Sequence, residues 1–214
     1  MATLTETTLI PNKTFAVLAT NQQIELTVKS LEAHGMTAVV VENSAAAKQK
    51  IAELIPDGAE VFVSSSATLI QSGIAEDVDQ SGRYDSVRAK LAKLDYNTQG
   101  REMNKLGATP EYVIGSVHAL TETGSAIIAS ATGSQLASYV SGAAKVIWVV
   151  GSQKIVPNLE IGMKRLEEYT FPLEDARALK VYGMHSTIAK TLVVNRETTP
   201  GRITIVIVKE DLGF

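Results

Sequence analysis

The sequence predicts an α/β protein built on a mostly parallel sheet with helices covering it. Three observations lead there. Short β-branched runs alternate with helically spaced apolar residues: Thr37 to Val41 and Val61 to Val63 flank an amphipathic stretch from Ser44 to Ile55. Such alternation marks a parallel sheet with crossover helices. The runs Val146 to Val150 and Ile203 to Val208 are apolar nearly throughout, as strands buried on both faces must be. Finally, apolar runs are followed by short loops of small polar residues, and open α/β sheets build ligand sites at the carboxyl ends of their strands.

At 214 residues one domain is the default. We expect a loose N-terminal arm over 1–14 and a single domain over 15–214. Thr20 opens the first helix, with Gln23 as its capping-box partner. Ile24, Val28 and Leu31 give that helix one apolar face, and His34-Gly35 closes it, glycine taking the left-handed position. Thr37 to Val41 is a strand. Ser44 is the expected cap of the next helix, whose face is Ala47, Ile51, Leu54 and Ile55. Pro56-Asp57-Gly58 is a turn signal, and Val61 to Val63 is the next strand, running into Ser64-Ser65-Ser66.

From Ile74 to Gly107 the sequence becomes more polar. Tyr84, Val87, Leu91 and Leu94 are spaced for one helical face, with Arg83, Arg88, Lys90 and Lys93 largely off it. A helical insertion around 74–107 is therefore expected, its basic residues on a solvated face. Ala126 to Ala129 and Val146 to Val150 are strands. Asn158 caps a helix whose face is Leu159, Met163 and Leu166. Phe171 to Tyr182 has no decisive pattern. Lys190 to Asn195 and Ile203 to Val208 are strands on either side of the turn Thr199-Pro200-Gly201.

Composition excludes several classes of function. With no Cys, this chain forms no disulfide, thiol nucleophile, zinc–thiolate site or Cys-ligated iron–sulfur cluster. A formal net charge of −3 gives no reason to expect a nucleic-acid partner. No apolar run approaches a membrane span. The Thr-rich start lacks the basic and apolar regions of a signal peptide, so a cytoplasmic protein is expected. The standard dinucleotide, P-loop, nucleophile-elbow and zincin motifs are absent. His34, His118 and His185 are far apart in sequence, and no metal site is expected from them.

Four polar clusters remain as candidate ligand loops: Ser64-Ser65-Ser66 with Thr68, Thr121 to Ser125, Thr132-Gly133-Ser134-Gln135, and Gly151-Ser152-Gln153-Lys154. Small residues let backbone N–H groups approach a ligand, hydroxyls add donors, and a helix starting after Ser134 would favour an anion. Lys154 adds a positive charge. If all four sit at the strand ends of one sheet, they hold a small anion; taken singly, such clusters are equally turns and caps. Within the second cluster, Glu122 is flanked by Thr121 and Thr123 and followed by Gly124 and Ser125. A carboxylate there is a candidate general base or covalent nucleophile, or an anchor for a neighbouring loop.

Several segments together resemble the LUD-domain family, that of lactate utilization protein C. They are Gly115-Ser116-Val117-His118-Ala119-Leu120-Thr121-Glu122-Thr123-Gly124-Ser125, Ala129-Ser130-Ala131-Thr132-Gly133-Ser134-Gln135, and Val146-Ile147-Trp148-Val149-Val150-Gly151-Ser152-Gln153-Lys154-Ile155-Val156-Pro157. Ile55 to Val61, Lys190 to Arg196 and Pro200 to Thr204 fit as well. The resemblance runs from about Ala19 to near the end of the chain. It implies a three-layer α/β/α, Rossmann-like fold, similar to glucosamine-phosphate deaminase, ribose-phosphate isomerase and CoA-transferases. Characterised members of the family act in oxidation of L-lactate to pyruvate beside iron–sulfur partner proteins. Thr121-Glu122-Thr123-Gly124 is similar to the Ser-Glu-Asn-Gly segment that carries the catalytic Glu of CoA-transferases, with Thr123 in place of Asn.

Three functional readings follow. The first is an accessory protein or subunit in organic-acid utilisation that binds a small anion at the loops, any redox centre lying on iron–sulfur partners. The second is a free-standing acyl/CoA-transfer or sugar-phosphate enzyme using Glu122. The third is a small-molecule binding or regulatory module without chemistry. The fold type also leads us to expect a homo-oligomer.

Overall fold

The computed structural model describes residues 9–214. The part of the expected N-terminal arm before residue 9 lies outside the described residues. Asn12 is docked: its backbone N–H donates to Glu168 O (2.8 Å) and its side chain to Glu168 Oε2 (2.9 Å).

In chain order, α1 is Asn21–Ala33, β1 Thr37–Val41, α2 Ser44–Leu54 and β2 Glu60–Val63. Then come α3 Ala67–Gln71, α4 Ile74–Gln80, β3 Asp85–Ser86, α5 Val87–Leu91 and α6 Tyr96–Ala108. The strands β4 Tyr112–Gly115, β5 Ala119–Thr121, β6 Ala126–Ser130, β7 Lys145–Gly151 and β8 Ile155–Val156 follow. The chain ends with α7 Leu159–Arg165, α8 Phe171–Tyr182, β9 Lys190–Val194 and β10 Ile203–Val208. Two π-helical turns, Ser138–Gly142 and Leu166–Thr170, interrupt the pattern.

The fold is α/β with a mostly parallel central sheet flanked by helices. Six strands in the order β1-β10-β7-β4-β2-β3 form it, every neighbouring pair parallel. Alternate residues of each central strand feed opposite cores. Val146, Trp148 and Val150 of β7, with Ile203, Ile205 and Ile207 of β10, pack on one face with Ile24 and Leu31 of α1. Ile147 and Val149, with Val206 and Val208, pack on the other with Ala47 and Ile51 of α2, Leu69 of α3 and Ile74 of α4. This period of two, with both faces buried, is why those strands are continuously apolar.

A second sheet, β8-β5-β6-β9, lies over the first face: Leu120, Ile128 and Ile155 join that core. It is mixed, with β5–β6 and β6–β9 antiparallel and β5–β8 parallel. Its outer face packs Ala119, Ile127 and Val156 against Leu166, with Ile161 and Met163 partly buried alongside. Among the described residues no helix is long and apolar enough to cross a membrane.

The local signals are met at α1. Gln23 N–H donates to Thr20 Oγ1 and Thr20 N–H to Gln23 Oε1, and Gly35 has a left-handed φ of 79°. Three expectations need correction. Asn43, not Ser44, caps α2, accepting from Ala46 N–H at 2.9 Å; Ser44 instead donates to Glu210. Tyr84, Val87, Leu91 and Leu94 do not share a helical face. An edge strand at Asp85–Ser86 intervenes, so Tyr84 packs on one face of the sheet and Val87 and Leu91 on the other. Leu159 stays exposed, and Gly162 and Arg165 are buried on α7 in its place. The strands around Thr199-Pro200-Gly201 pair in different sheets, as do the runs Ala126 to Ala129 and Val146 to Val150. The undecided stretch from Phe171 is the helix α8.

Candidate functional site

The chain leaves β2 for the edge strand β3 and returns to β4 on the other side of β2. Strand order thus reverses between β2 and β4, and a crevice opens at their carboxyl ends, as it does at such switch points generally. A cleft of about 570 Å³ occupies this place. Its floor comes from β2, β4 and β7, adjacent strands ending in Ser64, Ser116 and the turn that carries Lys154. Its far wall is α8 with Ser186, Thr187 and Ile188 after it.

Lys154 is 2% exposed at the base of the cleft. Its Nζ donates to Thr68 Oγ1 (2.8 Å), Val117 O (3.1 Å) and Ser116 Oγ (3.2 Å), all neutral oxygens. Thr68 Oγ1 itself donates to Leu212 O, so it accepts from the lysine. An amine facing three acceptors is satisfied as the ammonium, which has three protons to give. Burial pulls the Lys154 pKa well below its ordinary value, and the charge of Arg165 adds to this while that of Asp211 opposes it.

Arg165 stands one layer behind. It is fully buried, its guanidinium lies over the Tyr169 ring, and Nη1 donates to His118 O and to Thr170 Oγ1 (3.0 Å). Nε and Nη2 are buried without a hydrogen-bond partner among the described residues. Burial lowers its pKa to about 10, against the opposing effects of Tyr169 and Asp211. Two buried basic groups whose hydrogen-bond acceptors among the described residues are all neutral make the base of the cleft electropositive, a costly arrangement that an incoming anion relieves.

His118 is half-buried on the cleft wall. Its Nδ1 accepts from Ala129 N–H at 3.0 Å, so the ring proton sits on Nε2 and the imidazole offers a donor there. Burial, with Lys154 and Arg165 nearby, lowers its pKa to about 3. Tyr139, on the first π-helical turn, stacks edge-on against Trp148 and shares a 2.8 Å hydrogen bond with Ser64. Burial raises its pKa to about 12, so it stays a phenol. Gly115 makes this possible: a Cβ there would overlap the Tyr139 hydroxyl. Arg202 fixes the turn by donating to the carbonyls of Ser138, Tyr139 and Ala143 while pairing with Glu197 (2.7 Å). π-helical turns recur at functional sites, and Leu166 and Thr170 of the second one also line the cleft.

The other charges of the cleft are matched in place. Arg177 is doubly bonded to Glu174, both at 2.7 Å. Arg88 donates to Val63 O and Ser65 Oγ, 2.7 Å each, with Asp79 at 4.0 Å.

The cleft gathers Ser64, Ser65, Ser66 and Thr68, together with Thr132, Ser134, Gln135 and Lys154, from the sequence-derived clusters. Gly133 shapes that loop, with φ 87° and its N–H donating to Ser130 Oγ. The cluster around Glu122 is elsewhere. Thr121 to Ser125 close the β5–β6 hairpin: Thr121 N–H donates to Ser125 O, and Thr121 Oγ1 contacts Thr123 Oγ1 and accepts from Ser125 N–H. Gly124 O accepts from His34 Nδ1, and Glu122 Oε1 accepts from Gln23 Nε2 (2.9 Å). Gly151, Ser152 and Gln153 are buried beneath the last residues, Gln153 Nε2 donating to Leu212 O. The four clusters therefore do not share one sheet's ends, because β5 and β6 belong to the second sheet.

Sequence reasoning weighed His118 only as a metal ligand, placed Arg88 on a solvated helix face, and passed over Ser116, Tyr139, Arg165 and the Glu174–Arg177 pair. The i,i+3 spacing of that last pair was a legible helix signal; a buried Arg165 had none.

The family model of the LUD domain matches residues 24–208. The crystal structure of a DUF162-family protein from Deinococcus radiodurans superposes with a TM-score of 0.55 at 13% identity, covering 90% of this chain and 99% of that one. That likeness is one of fold. No curated protein matches the chain.

Proposed function

The chain belongs to the LUD-domain family, and on that premise we propose that it binds a small organic anion of the 2-hydroxy or 2-oxo acid type in the β2–β4–β7 cleft. It serves as an accessory protein or subunit in organic-acid utilisation of the L-lactate to pyruvate kind. One observation carries this: Lys154, buried at the base of the cleft, with neutral oxygens as its only hydrogen-bond partners among the described residues. A carboxylate beside it supplies an anionic partner in direct contact, where Asp211 acts only through its field. The serine loop after β2 contributes hydroxyls, and His118 Nε2–H donates to the oxygen at C2. In that role His118 is a neutral donor and not a base, as its Nδ1 is already committed.

Conversion of a hydroxy acid to an oxo acid removes two electrons and two protons. A chain without Cys holds no iron–sulfur cluster of its own on thiolates, so the acceptor centre in this reading belongs to iron–sulfur partner proteins. The test is a thermal-shift titration with lactate and pyruvate, followed by a native pull-down. A ligand at about 100 times its dissociation constant adds roughly 2.7 kcal/mol, a rise of roughly 5–10 °C in a domain of this size. No shift with any short hydroxy or oxo acid refutes the binding role. A pull-down that recovers no Cys-rich iron–sulfur protein refutes the partnership.

A further inference from the structure

The cleft is much larger than its cationic base requires. Ligand clefts of roughly 300–1,000 Å³ hold drug-sized molecules, and at about 570 Å³ this one leaves most of its volume empty around a three-carbon acid. The remainder is lined by apolar side chains, by neutral hydroxyls and an amide such as Thr132, Ser134, Gln135 and Thr187, and by charges that are already paired. Ile70 and Tyr182 line the cleft while 69% and 60% exposed, and Phe171 and Ile188 line it as well. Arg177 is committed to Glu174 through two hydrogen bonds, and Arg88 is held by Val63 O and Ser65 with Asp79 nearby. A second negative charge on the ligand would meet only neutral hydroxyl and amide donors there, unless it broke one of these ion pairs beside Glu174 or Asp79.

We infer that the ligand is a monoanion with an apolar body: a 2-oxo or 2-hydroxy acid with a branched or aromatic side chain, its carboxylate on Lys154 and its side chain against Ile70, Phe171, Tyr182 and Ile188. This rests on the anion-binding role proposed above and names its substrate class. Three-carbon acids bind in the same place but leave the apolar wall in water.

The experiment is calorimetric titration of the full chain with pyruvate, phenylpyruvate and 2-oxoglutarate, which share the 2-oxo carboxylate and differ in the body. Burying most of a phenyl group on an open wall is expected to lower the dissociation constant roughly tenfold relative to pyruvate, with 2-oxoglutarate weakest. In an Ile70→Ser/Tyr182→Ser double variant the ratio of phenylpyruvate to pyruvate affinity is expected to fall to about one. Both positions are exposed, so the variant should fold, and its melting temperature checks that. Equal affinities for pyruvate and phenylpyruvate, or tightest binding of 2-oxoglutarate, overturn the inference and leave the anion site standing. A ratio that persists in the double variant overturns the assigned wall. No binding of any of the three overturns the anion site and the inference together.

Discussion

Replacing Lys154 by Met separates a functional lysine from a structural one. The substitution keeps the length and much of the volume of the side chain and removes the charge. Lost with it are the bonds to Thr68 Oγ1, Ser116 Oγ and Val117 O, each worth about 1 kcal/mol net. Gained is relief from burying an ammonium that is 2% exposed, a penalty of several kcal/mol. The two roughly cancel, so the unliganded Lys154→Met variant is expected to melt within about 3 °C of wild type, or above it. Binding behaves oppositely. A carboxylate about 4 Å from Nζ gains about 4 kcal/mol at an effective dielectric near 20. If desolvation consumes about half of that, the loss on substitution is about 2 kcal/mol, or roughly thirtyfold in affinity for a 2-oxo acid. Stability kept while binding is lost is the signature of a residue retained for function. pH gives a second readout. The folded pKa of Lys154 is depressed from 10.5, so the unfolded chain holds the proton more tightly, and wild-type stability recovers as pH rises toward 10.5. Any advantage of Lys154→Met should shrink over that window. Differential scanning calorimetry and calorimetric titration measure both effects. A variant that loses more than about 5 °C yet binds within about twofold of wild type refutes the reasoning and makes Lys154 a structural strut.

Three further predictions follow from the same geometry. His118 is held to a pKa of about 3 against an ordinary 6.5; its contribution is intact above pH 6.5 and is lost as pH falls from 6.5 toward 3. Acid unfolding of His118→Gln should therefore be shallower there, by on the order of a few kcal/mol, and an identical pH–stability curve would count against a half-buried imidazole held neutral. Glu122→Gln removes a carboxylate bonded to Gln23 in the β5–β6 hairpin, so organic-acid affinity should stay within about twofold of wild type; loss of binding or turnover would bring the Glu122-centred enzyme reading back. Gly115→Ala forces a Cβ into the Tyr139 hydroxyl and is expected to cost about 1–3 kcal/mol by overpacking, with much of that recovered in Gly115→Ala/Tyr139→Phe; denaturant unfolding of both variants checks it, and equal losses would locate the strain elsewhere.

Signals that act within one element were legible in the sequence. The Thr20–Gln23 capping box, the left-handed Gly35, the two-sided burial of β7 and β10 and the strand-to-loop transitions at Ser64 and Gly151 all depend on residues a few positions apart. Short-range sterics and hydrogen bonding, with the periods of helix and strand, fix such features. The errors arose where two solutions share one local pattern. Tyr84, Val87, Leu91 and Leu94 fit a helix by spacing, but edge pairing of Asp85 and Ser86 with β2 puts Tyr84 across the sheet from Val87 and Leu91. Asn43 and Ser44 are both good caps, and the carboxylate of Glu210 decided which is used.

The sequence by itself determined the α/β class, the apolar cores of the central strands and a supply of hydroxyls and one lysine near their ends. It determined family membership as well, since that rests on residues over 24–208. Only the tertiary structure decided which polar loops meet. Strand order put the ends of β2, β4 and β7 side by side and sent Glu122 to a hairpin in another sheet. It also brought Arg165 to within hydrogen-bonding reach of His118 O, 47 positions away. Such proximity depends on chain topology and on burial in a low-dielectric interior, and neither is encoded in the spacing of residues along the chain.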